Sequence, residues 1–132
     1  MNIEIINKKM KELGDYDFQQ LINVEDGIKG KIKITDSKLK LDFVLSFLSK
    51  KDIYSFLISI DINKEGNFDE IINDYNLTNV LVTTYIDKNK LCFKRVDYVR
   101  DEDDFIDKLF GIMNYTFMMY EKDTKKLLKK VM

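Results

Sequence analysis

Three runs of strict alternation dominate the chain. Ile28, Gly30, Ile32 and Ile34 alternate with Lys29, Lys31 and Lys33; Leu39, Leu41, Phe43, Leu45 and Phe47 form a second set; Tyr54, Phe56, Ile58, Ile60 and Ile62 form a third. A period of two places the apolar members of each run on one side of a strand. Only the short polar segments TDSK and SKKD separate the runs, so successive strands have to pair antiparallel. Such a meander has one apolar face and needs another layer to cover it.

The rest of the chain supplies that layer. Ile3, Ile6, Met10 and Leu13 recur at helical spacing before Gly14, which predicts a first helix over 2–13. DYDFQQLINVEDG reads as a short strand ahead of Gly27. Phe68, Ile71, Ile72 and Tyr75 predict a short helix with Asn67 as its cap and acids in its first turn. The β-branched stretch 77–86 and the segment 90–98 read as a hairpin turning at DKNK, and 102–130 as one long helix. The expectation is an α+β fold: an antiparallel sheet of five or six strands with helices packed on it, in the order α-β-β-β-α-β-β-α. At 132 residues, without proline, repeats or a linker, residues 1–132 read as a single domain.

Little in the chain looks like reaction chemistry. It contains no histidine, the commonest general base and metal ligand. The single cysteine, Cys92, lies between Leu91 and Phe93 on a predicted strand and reads as a small buried residue. DINKEGNFDEII begins like a calcium loop with Asp61, Asn63, Glu65 and Gly66, but Ile72 stands where the bidentate Glu belongs, and the stretch follows a strand. It reads as a turn. DEDD, Asp101 to Asp104, reads as the acidic N-terminus of a helix whose other end is KKLLKK. With neither a phosphate loop nor a nucleophile elbow, no enzymatic activity, metal or cofactor is expected.

Net charge is −1, which gives no global pull toward nucleic acid, and no apolar stretch approaches the length of a membrane span. The N-terminus lacks the apolar core of a signal peptide, so a cytoplasmic protein is expected. Abundant Lys, Ile, Asn and Asp fit an AT-rich bacterial genome.

The stretch IINDYNLTNVLVTTYIDKNKLCFKRVDYV, Ile71 to Val99, resembles the YbjN-like family of bacterial sensory-transduction regulators. The matching features are Asn73 and Asn76 closing a short helix, a hairpin turning at IDKNK, and a mixed apolar and acidic helix after it. The element order is also similar to that of the class I type III secretion chaperones. The resemblance implies a sheet with helices on one face, often dimeric, acting as a protein- or peptide-binding module without cofactor. For Asn73 and Asn76 themselves the expected role is local capping.

The expected function is therefore a non-enzymatic module that binds a protein or peptide partner, chaperone-like or regulatory, with a small immunity protein or antitoxin as the alternative. The long helix is the expected interaction element. Phe105, Ile106, Leu109, Phe110, Met113, Phe117, Tyr120, Leu127 and Leu128 are assigned to the face on the sheet. Ile112, Tyr115, Met118 and Met119 are assigned outside it, for the first helix, a homodimer partner or another protein to cover.

Overall fold

The computed structural model describes residues 2–12, 17–25, 27–36 and 38–132, with backbone alone over 17–21. Leu13 and the Gly14 stop lie outside the described residues. Helix α1 spans Ile3–Glu12, and strands β1 (Asp17–Val24), β2 (Gly27–Asp36), β3 (Leu41–Lys50) and β4 (Ile53–Asp61) follow. After them come α2 (Asp69–Thr78), β5 (Thr83–Asp87), β6 (Lys90–Tyr98), α3 (Glu102–Asn114), a π-helical turn (Tyr115–Met119) and α4 (Glu121–Val131). The six strands form one antiparallel sheet in the order β1-β2-β3-β4-β6-β5. This is the α+β fold that the alternation predicts.

Register matches the apolar pattern. Phe47 lies opposite Phe56 and Leu45 opposite Ile58, so the second and third runs share one face. Phe43, Leu45, Phe56, Ile58, Leu91 and Phe93 are fully buried there beneath the helices. Phe105 of α3 plugs the centre, its ring 5.0 Å from Phe47, 5.5 Å from Tyr54 and 5.9 Å from Phe56. Phe117 of the π-turn sits edge-on to Phe43 at 4.8 Å. Helix α1 adds Ile6 and Met10 to the same core and is tied to the start of α3, where Asn2 N donates to Glu102 Oε1 and Lys9 pairs with Asp103. Gly27 is required where it stands: a Cβ there would meet the Ser49 carbonyl oxygen at 2.5 Å, while Ser49 Oγ receives the Ile28 amide.

Two expectations are corrected. The stretch 77–86 is not all strand: α2 continues to Thr78, the Asn79 side-chain amide closes its end by donating to the Tyr75 carbonyl, and β5 begins only at Thr83. The C-terminal helix is not continuous. Tyr120 N bonds the carbonyl of Tyr115, five residues back, so the ladder skips one acceptor and the Thr116 carbonyl loses its α-helical donor. The Thr124 hydroxyl donates to that carbonyl at 2.9 Å, which leaves the Tyr75 hydroxyl as donor to Thr124 Oγ1, also at 2.9 Å. One buried chain of hydrogen bonds thus ties α2 to both sides of the break.

Among the described residues, no helix covers the other face of the sheet. Lys29, Lys31 and Lys33 of β2 point to it, with Val44 and Leu48 of β3, Ile53 of β4 and Val96 and Tyr98 of β6. Among the described residues, no helix is long and apolar enough to cross a membrane.

Candidate functional site

The four residues assigned to the interaction surface do not stay together. Ile112 is fully buried, and its assignment outside the sheet-facing side is corrected. It stands seven residues beyond Phe105, close to two full turns, so it returns to the same side of the helix. Tyr115 is half-buried under the Arg95 guanidinium, which lies 5.1 Å over its ring. Met118 and Met119 are exposed, at 70% and 65%. The wide π-turn delays the return of the chain toward the sheet and holds Met119 in solvent; that break has no signal in the sequence.

The π-turn gains neighbours that sequence reasoning missed. Leu81 N donates to the Tyr120 hydroxyl at 2.9 Å, and Arg95 Nη1 donates to the Leu81 carbonyl at 2.8 Å. Arg95 is fixed in turn by Asp97. These bonds hold the loop between α2 and β5 against the π-turn. Leu77 in the last turn of α2 and Val80 in that loop are exposed, each at 77%. The end of α2 with its following loop and the adjoining π-turn therefore present four large apolar side chains.

Asn76 is not a local cap. Its amide donates to the Thr84 carbonyl and its Oδ1 accepts the Thr84 amide, both at 2.8 Å. This two-way clamp mimics a strand partner and fastens α2 to edge strand β5. Asn73 is exposed. At the other end of α2, Asn67 Oδ1 accepts the Asp69 amide as an upstream turn, although the cap position itself falls on Phe68.

A groove of about 720 Å³ runs between α2 and α4. Phe68, Ile71 and Leu127 give it apolar surface; Lys64, Lys126 and Lys130 face Glu70, Asp74 and Asp123 across it. Tyr75 reaches its floor, and burial above all pushes its phenol up to about 12. Cys92 lies on the open side of the sheet, buried beside Tyr85, and its thiol is raised first by burial. Both shifts favour the protonated forms.

The acidic run has structural partners. Asp101 caps α3 by accepting the Asp104 amide at 2.8 Å. The Arg100 amide donates to Asp104 and holds its carboxyl below the usual range. In the stretch that begins like a calcium loop, Asp61 ends β4 and pairs with Lys90. Among the described residues, no three His, Cys, Asp or Glu side chains gather where they could hold a metal ion. No protein-family model, curated protein or solved structure matches the chain.

Proposed function

We propose that this chain is a non-enzymatic protein- or peptide-binding module, chaperone-like or regulatory, working in the cytoplasm without a cofactor. The observation that carries the reading is the surface led by Met118 and Met119. Both methionines are exposed on a π-turn followed by Tyr120, whose hydroxyl accepts the Leu81 amide, next to a segment that exposes Leu77 and Val80. Solvation does not require four large apolar side chains on ordered connections, and methionine suits a surface that adapts to a partner. The resemblance of Ile71–Val99 to the YbjN-like family supports the same reading.

A photo-crosslinking residue in place of Met118, compared with one in place of Lys51, tests it in the native host. A discrete product from position 118 alone is expected, lost on Met119→Lys at unchanged melting temperature. A product of twice the chain mass identifies a homodimer. A different mass identifies a foreign partner, whose nature separates a regulator from an immunity protein. Equal smears from both positions, or no product from either, would sink the reading.

A further inference from the structure

The open face of the sheet carries a second surface that solvation does not explain. An antiparallel sheet with one wet face normally turns polar residues toward the water. Here the register gathers Leu48, Ile53, Val96 and Tyr98 at one end. Ile53 lies opposite Tyr98, while Leu48 and Val96 flank Ser55 one rank further on. All four are more than half exposed. Opposite neighbours on a sheet face stand about 5 Å apart and diagonal ones about 7–8 Å, so the four form one continuous patch. A hollow of about 620 Å³ lies over it, touching Leu48, Ile53 and Val96.

Charge around the patch is mostly positive. Lys29 stands opposite Leu48, Lys50 opposite Ile53, and Lys94 two residues before Val96. None of the three forms an ion pair among the described residues. Asp42 and Asp61 lie at the far end of the face, occupied by Lys33 and Lys90, and Glu25 is the acid at the near rim.

We infer that this patch docks an acidic amphipathic helix of another polypeptide. The apolar quartet takes the helix's apolar stripe, and the lysines take carboxylates along its flanks. The patch crosses three neighbouring strands, β3, β4 and β6, a width of about 10 Å, which is the diameter of one helix. A lipid surface fits less well. The apolar side chains stand at the ends of β3, β4 and β6 among longer lysine side chains, so they do not reach below headgroups that the lysines contact. The inference is independent of Met118 and Met119, which lie on the helical side.

The test uses the full chain and three probes: a synthetic helix with a leucine stripe and glutamates elsewhere, its lysine counterpart, and phosphatidylserine vesicles. The glutamate peptide should bind with one-to-one stoichiometry and weaken as salt rises. Lys50→Glu with Lys94→Glu, and separately Leu48→Ser with Val96→Ser, should each lower its affinity at least about tenfold. Met118→Glu should leave it unchanged. All these positions are surface ones, and melting temperature verifies that each variant folds. Absence of glutamate-peptide binding, equal binding of the lysine peptide, capture by vesicles in its place, or indifference to both double variants overturns the proposal. So does a doubled mass abolished by Lys50→Glu, which would make the occupant a second copy.

Discussion

The two faces of the sheet are built from the same strands yet hold opposite kinds of residue environment. On the helical face Phe43, Phe56 and Phe93 are wholly excluded from solvent; on the other face Val44, Leu48 and Val96 stand in it. Alternate positions of one strand thus divide the labour, one set holding the fold and the next set free to meet a partner. Because a slip of a single residue would exchange the sets, the division also has to be guarded. Lys29, Lys31 and Lys33 do this on β2, since a slip would bury three charges.

The sharpest way to break this contrast is to truncate one residue on each face. Phe56→Ala should destabilise the chain by about 3–5 kcal/mol, as removal of a buried ring does. Val96→Ser, on the open face of the neighbouring strand, should change stability by no more than about 0.5 kcal/mol. Urea unfolding of both variants decides it, and equal losses would mean that the open face is also structural.

Thr124→Val should cost about 1–3 kcal/mol, because it leaves the Thr116 carbonyl and the Tyr75 hydroxyl buried without partners. Thr124→Ser should restore most of that loss; if it does not, the methyl group and not the hydrogen-bond chain carries the effect.

Burial of Tyr75 sets an alkaline limit on the helical side. The Tyr75 phenol is held at about 12 in the folded protein against 10.0 when free. Between those values the folded chain keeps a proton that the unfolded chain has released, so stability is intact below the free value and falls as pH rises through the folded one. Thermal melts across that window should show a steeper decline for the native chain than for Tyr75→Phe. Parallel declines would remove Tyr75 from the account.

The smallest effect belongs to the turns, which lie on neither face. Lys51 and Lys88 take φ of 54° and 58° in the two-residue turns between β3 and β4 and between β5 and β6. Lys88→Gly should raise stability by up to about 1 kcal/mol by removing the left-handed penalty. A loss in calorimetry would show that the Lys88 side chain matters more than its backbone.

Period two made the sheet readable: strands β2, β3, β4 and β6 stand within a few residues of where the alternation puts them. The end of α2 was less legible, because Thr78, Val80 and Val82 carry strand propensity while the Asn79 side chain, donating to the Tyr75 carbonyl four residues back, closes a helix that runs to Thr78. Asn76 looked like a capping residue because its type caps so often; its clamp on Thr84 depends on a strand eight residues away. The π-turn left no trace, since nothing in YTFMM demands it. Met118 was legible as an outward residue, whereas Met119 owes its exposure to the π-turn and Ile112 demanded only a stricter use of helical angle.

The plug of the core arrives late in the making of the protein. Phe105 and Phe117 close over Phe43, Phe47 and Phe56, yet the ribosome finishes β4 at Asp61 well before it reaches Glu102. During that interval the nascent meander has α1 but not the C-terminal helices to shelter it. Newly made chains therefore pass through a window in which aromatic side chains stand uncovered, the condition that invites clumping or a holding chaperone. A polypeptide released early, before Glu102, would carry that window permanently.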